Sequence, residues 1–176
     1  MKHTLSILVE NKPGVLSRVA GLFSGRGFNI ESLSVAETLD AGVSHMTIVT
    51  RGNDDILEQI IKQLNKLINV IKVIDFVNGD FVSRETALIK VGVNETTRSE
   101  VLSTVDIFRG KVVDVAPSTY VIEITGDDNK ITALINLFKP MGIIEIARTG
   151  KVAMMRGEKI KVALPQPQMT EGDEGG

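Results

Sequence analysis

Cysteine and tryptophan are absent from this 176-residue sequence, which has one tyrosine, six phenylalanines and two histidines. Without cysteine there is no disulfide framework, no thiolate metal site and no cysteine nucleophile, which fits a reducing compartment. With aromatic residues at 4%, platforms for stacking nucleic-acid bases are scarce. Charge of one sign is lacking too: 20 basic residues stand against 22 acidic ones, a formal net charge of -2. Neither nucleic acid nor an anionic membrane is therefore an expected partner. No apolar run approaches the roughly 18 to 20 residues of a membrane span. The opening "MKHTLSILVENKP" also lacks the apolar core and small-residue cleavage site of a signal peptide, so the expected location is cytoplasmic.

What is present is a hydrophobic fraction of 43%, enough to furnish a core, arranged in a grammar that occurs twice. Leu5, Ile7 and Val9 alternate in a strand with one buried side, and Pro13-Gly14 turns the chain into a helix carrying Val15, Leu16, Val19, Leu22 and Phe23. "GRG" at 25–27 stops that helix; 29–38 and 43–52 read as strands joined by "LDAG". Asn53, Asp54 and Asp55 cap a second helix with an apolar stripe of Ile56, Ile60, Leu64, Leu67 and Ile68, and 70–77 closes the unit as a strand.

After the "NGD" turn at 78–80, a strand at 86–93 is followed by a capping box, Thr97 to Glu100, and a helix through Val101, Leu102, Val105 and Phe108. Two further strands, a helix ended by Pro140 and Gly142, and closing strands within 143–157 complete the pattern. The fold class is α+β: two tandem ferredoxin-like βαββαβ domains, 1–78 and 84–164, each an antiparallel sheet with both helices on one face. Residues 165–176, rich in Pro, Gly, Gln and acids, are expected to form a disordered tail.

Catalysis needs convergent titratable groups, and few are on offer. His3 sits near a terminus, and His45 lies in a strand with no nearby Asp, Glu or His at metal-ligand spacing; both are read as structural, and no metal site is expected. The pairs Asp54-Asp55 and Asp127-Asp128 each precede a helix, where the helix dipole explains them. "GRG" has neither a G-x-G-x-x-G nor a G-K-[ST] context and reads as a helix stop rather than a phosphate loop. Acylphosphatases share the fold class, but "ENKPGVLSR" is not their phosphate loop. RNA-recognition modules share the element order, but the two central strands, "LSILVE" and "SHMTIVT", contain no aromatic residue.

The junction "NKPGVLSRV" is the best candidate for binding. A helix N-terminus leaves N–H groups unpaired and carries roughly half a positive charge, so it attracts a carboxylate. Gly14 lets a ligand approach the backbone and Pro13 pre-sets the turn. Asn11 can cap the helix or accept a hydrogen bond from an amine, so a zwitterionic amino acid suits the arrangement. A plain turn with a plain cap accounts for the same residues.

From "ENKPGVLSRVAGLFSGRGFNIESLSV" through "EQIIKQLNKLINVIKV" the first half closely resembles the N-terminal ACT domain of the small regulatory subunits of acetohydroxyacid synthase (acetolactate synthase). "RETALIKV", "DIFRGKVVDVAPSTYVIEITG" and "IIEIARTGKVAMMRG" are similar to that family's C-terminal domain, so the resemblance covers about residues 2–162. Many ACT domains place Asp where this chain has Asn11, but Asn is usual in this family. The resemblance implies a subunit with no catalytic residues and no cofactor of its own. It would activate a separate large subunit, which uses thiamine diphosphate, Mg²⁺ and FAD, and confer feedback inhibition by a branched-chain amino acid, usually valine. It also implies a homodimer formed through ACT domains. Carried over by position, Asn11, Gly14, Val15 and Leu16 of one protomer hold the effector's polar groups, Asn29 and Ile30 of the other complete the pocket, and Pro13 and Ser17 shape it. One methylene discriminates only about 10- to 200-fold in an apolar pocket, so sequence does not rank valine above leucine or isoleucine.

Overall fold

Alternation in β1 (Lys2–Glu10) sends Leu5, Ile7 and Val9 to one side, and pairing with β3 (Val43–Arg51) sets Leu5 opposite Ile48 and Ile7 opposite Met46. That face is sealed by Val15, Val19 and Phe23 of α1 (Val15–Ser24) and by Leu57, Ile60 and Leu64 of α2 (Asp54–Leu64). With β2 (Ile30–Glu37) and β4 (Val70–Asp75), the antiparallel sheet has the order β2-β3-β1-β4. The computed structural model describes residues 2–76 and 80–157. Val77, most of the "NGD" turn, residues 158–164 and the expected tail at 165–176 lie outside them.

The second sheet repeats this plan. β5 (Phe81–Gly92) takes the place of β1, and β6 (Lys111–Val115), β7 (Thr119–Gly126) and β8 (Ile143–Arg148) give the order β6-β7-β5-β8. Ala87, Ile89 and Val91 pack with Ile122 and Ile124 under α3 (Arg98–Ile107) and α4 (Asp128–Phe138). After α4 a single 3-10 turn, Lys139–Met141, contains Pro140.

Among the described residues one strand has no counterpart in the first unit. β9 (Val152–Met155) pairs with the leading end of β5, Phe81 opposite Met155 and Arg84 opposite Val152. β9 also lies on the first sheet's second face: Ala153 N–H donates to Thr47 Oγ1 at 3.4 Å, and Lys151 N–H to Ser32 Oγ at 3.0 Å. The strand expected to bury one side therefore buries both, and Ser6 and Thr47 are as inaccessible as their apolar neighbours.

Local expectations hold in part. The "GRG" stop is a closed helix end: Phe28 N–H returns to Phe23 O at 2.9 Å and Gly27 N–H to Ser24 O at 3.1 Å, with Gly27 at φ 73°. Asn53 caps α2 through Asp55 N–H at 2.8 Å. The stripe of α2 uses Leu57 rather than Ile56, and Ile68, 90% exposed, lies beyond the helix end at Leu64. β4 ends at Asp75; Phe76 still donates its N–H to Thr4 O at 3.1 Å while its ring stacks on Phe81, ring centroids 4.7 Å apart. The Thr97–Glu100 capping box does not form, since Thr97 already has helical dihedrals. Asn94 Oδ1 instead accepts the N–H groups of Thr96 and Thr97, both at 2.9 Å.

Candidate functional site

β1 ends at Glu10, and the next residues are pinned one by one. Asn11 N–H donates to Gly42 O at 2.8 Å, and Lys12 N–H to Glu10 O at 2.9 Å. Gly14 then stands at the head of α1 with φ 83°, the left-handed region that favours glycine. No heavy atom lies within 4 Å of where its Cβ would sit, so the space above the turn is open. The helix ladder begins with Arg18 N–H to Gly14 O at 3.1 Å, which leaves the N–H groups of Leu16 and Ser17 ahead of any intrahelical acceptor. Val15 is buried beneath the turn, while Pro13, Leu16 and Ser17 are exposed around it.

Asn11 does not cap the helix, which has no side-chain cap. Its Nδ2 donates instead to Glu37 Oε1 at 3.0 Å and to Ala41 O at 2.9 Å, tying the junction to the end of β2 and the turn beyond it. These partners lie 26 and 30 positions away, so no local spacing in the sequence announces them. Nearby, Glu10 is held below the ordinary carboxylate pKa, first by the Asn69 amide and then by Lys12, whose ammonium lies at 3.0 Å. Arg18 Nη1 donates to Asn69 Oδ1 at 3.0 Å, so the Asn69 amide links the guanidinium on one side to the Glu10 carboxylate on the other.

Asn29 and Ile30 stand at the other end of the same sheet. Ile30 pairs with Thr50, and Thr50 Oγ1 donates to Asn29 O at 2.7 Å, whereas Glu37 pairs with Ser44 beside Asn11. Along β2 this separation is about 23 Å at the usual rise per residue. Within one chain the structure thus gathers Asn11, Gly14, Val15 and Leu16 and does not bring Asn29 and Ile30 to them.

Several titratable groups elsewhere are matched to one another. Glu85, nearly buried, receives Arg148 Nε and Nη2 at 2.7 and 2.6 Å. That pairing raises the Arg148 pKa. Asp128 is held below the usual carboxylate range, first by Lys2 at 2.8 Å and then by the charges of Lys151 and Arg148. These groups line a cavity of about 350 Å³ between the two units. His3 is paired with Asp54 at 3.2 Å. His45 Nε2 and Ser6 Oγ, 2.7 Å apart, lie on the first sheet's second face in a wider cavity of about 610 Å³ walled by Leu8, Ile74, Phe76, Val152 and Met154. Burial lowers the His45 pKa. Among the described residues no group of three or more His, Asp or Glu side chains is placed to hold a metal ion, and no helix is long and apolar enough to cross a membrane.

Comparison with known proteins gives consistent matches to both units. Residues 5–72 match the model of the AHAS small subunit-like ACT domain, and residues 84–157 match that of the small subunit of acetolactate synthase. The chain is 54% identical over 159 residues to the probable acetolactate synthase small subunit of Archaeoglobus fulgidus, covering 90% of this chain and 99% of that one. It is 54% identical over 161 residues to the acetolactate synthase small subunit of Aquifex aeolicus, covering 91% and 84% of the two chains. The crystal structure of the small subunit from Thermotoga maritima is similar at a TM-score of 0.81 and 46% identity, over 90% of this chain and 99% of that one.

Proposed function

The chain belongs to the acetolactate synthase small-subunit family, and from that premise we propose that it is a non-catalytic regulatory subunit that senses a branched-chain amino acid, foremost valine. In this reading it binds and activates a large catalytic subunit in the cytoplasm, and thiamine diphosphate, Mg²⁺ and FAD reside on that partner. The observation that carries the sensor is the junction itself: a Gly14 turn with open space above it, unpaired N–H groups at 16 and 17, and Asn11 anchored alongside. The carboxylate lies against the helix N-terminus, where the peptide dipoles favour negative charge. The ammonium meets Asn11, and Leu16, 43% exposed, supplies apolar surface to the side chain.

Placement of Asn29 and Ile30 supports a site shared between two copies. β2 is an edge strand. If two β2 strands pair antiparallel about a two-fold axis, the start of one lies beside the end of the other. Asn29 and Ile30 of a second copy then arrive where Glu37 and Asn11 of the first already are. A site divided in this way couples ligand to assembly, because any rotation of one copy against the other remakes half its contacts. An effector shifts such an equilibrium only through unequal affinity for the two arrangements.

Calorimetric titration of valine into the wild type and Gly14→Asp tests the reading. Asp tolerates the left-handed region better than most side chains, and no neighbour obstructs its Cβ, so the variant folds at a cost of about 1 kcal/mol. Its carboxylate stands where the effector's belongs, and the juxtaposed like charges lower valine affinity by about a hundredfold or more. Unchanged valine affinity in Gly14→Asp would remove the junction from the account.

A further inference from the structure

We propose that Glu37 makes this site a reader of the amino group, so that it accepts an α-amino acid and rejects the 2-oxo acid of the same carbon skeleton. The inference rests on the effector reading above and concerns which chemical class the site admits.

A primary amide offers two N–H donors and one acceptor oxygen. At Asn11 both donors are spent, one on Glu37 Oε1 at 3.0 Å and one on Ala41 O at 2.9 Å. Asn11 therefore has only Oδ1 to offer a ligand, and an acceptor oxygen can meet an ammonium but not a carboxylate or a ketone. Without these two partners the amide could turn over and present its NH₂ group to either. The Ala41 carbonyl belongs to the turn between β2 and β3 and is fixed by the backbone. Glu37 is the partner that a side-chain change can remove.

Glu37 adds a second filter through its charge. Its carboxylate stands within hydrogen-bonding distance of the Asn11 amide, so its field favours a cation beside that amide and opposes a bare anion. An amino acid and its 2-oxo counterpart share the carboxylate and the aliphatic group. The helix N-terminus and the apolar contacts cannot tell them apart, and the difference falls on Asn11 and Glu37. Sites built to hydrogen-bond a ligand's polar group reject analogues lacking it far more strongly than apolar pockets reject a missing methylene.

The test is calorimetric titration of the full chain, wild type, Glu37→Ala and Glu37→Gln, with valine and with 3-methyl-2-oxobutanoate. The side chain is exposed, and melting curves establish that all three proteins fold alike. The wild type is expected to prefer valine by about a hundredfold or more. Glu37→Ala loses about tenfold in valine affinity, and its preference over the 2-oxo acid narrows. Glu37→Gln, which keeps an acceptor oxygen for Asn11 Nδ2, retains most of that preference. An unchanged ratio of the two affinities in Glu37→Ala overturns the role of Glu37 while leaving the sensor in place. A wild type that binds neither compound, with or without the catalytic subunit, overturns the effector reading and this inference with it.

Discussion

The two sheets share one topology but not one environment. In the first, the face away from the helices is covered by β9 and by Phe76; in the second, the corresponding face is open. Ser6 and Leu88 occupy the same place in β1 and β5, each one position after the first of the three alternating core residues. Ser6 is 3% exposed and Leu88 is 42% exposed. Polarity runs opposite to what burial alone would select. The covered face carries small hydroxyl residues, Ser6, Ser32, Ser34 and Thr47; Ser32 and Thr47 accept N–H groups of the covering segment, and Ser6 Oγ is bonded to His45 Nε2. Lys90, Glu123 and Glu145 on the open face are long and charged, as water permits.

The largest effect should come from placing one substitution on both faces. Ser6→Lys brings a charge onto the covered face and is expected to cost about 3 to 5 kcal/mol in denaturant unfolding. Leu88→Lys is expected to stay within about 0.5 kcal/mol. Equal costs would mean that β9 does not seal the first sheet in solution.

A smaller loss is expected where the cover is attached. Gly150 has φ 81°, and a Cβ there would lie 2.8 Å from Ser32 Oγ and 3.1 Å from Leu33 O. Gly150→Ala therefore combines backbone strain with a collision against β2, at about 2 to 3 kcal/mol. Hydrogen exchange should show faster opening of Thr47 and its neighbours, with the second core protected as before. Loss of protection in both cores alike would show that the units do not respond separately.

The smallest effect concerns the imidazole beneath the cover. Burial depresses the His45 pKa, so the unfolded chain takes up a proton first as pH falls below the ordinary imidazole value of about 6.5. Stability contributed by the neutral ring is thus present above that value and is lost on acidification. Melting temperatures of the wild type and His45→Gln at pH 7.5 and 5.5 should show a steeper acid-side loss in the wild type. Parallel losses would mean that the covered face is as wet as the open one.

How much of this was legible in the sequence depended on the range of the interaction. Period-two and period-3.6 patterns placed all the main strands and helices, because the Leu5, Ile7, Val9 alternation and the Val15, Val19, Phe23 spacing are local consequences of burial. Asn53 signalled its cap for the same reason. Thr97 misled because an Asx turn from Asn94 took the Thr97 N–H that Glu100 would have accepted in a capping box. The second covering of β1 left no local trace, since Ala153 meets Thr47 across 106 positions. At the candidate site, Pro13, Gly14 and the helix start were readable as a junction, whereas the anchoring of Asn11 by Glu37 was not, being set by where β2 happens to end.

β9 also orders events during synthesis. Translation proceeds at roughly 5 to 20 residues per second, so the segment that covers Thr47 emerges from the ribosome some 5 to 20 seconds after it. Until then the first sheet has a helix-packed face and a naked one, with Leu8 and Ile74 open to any hydrophobic neighbour. A nascent chain in that interval is a natural client for a chaperone, and a fragment ending after β4 would keep that exposure permanently.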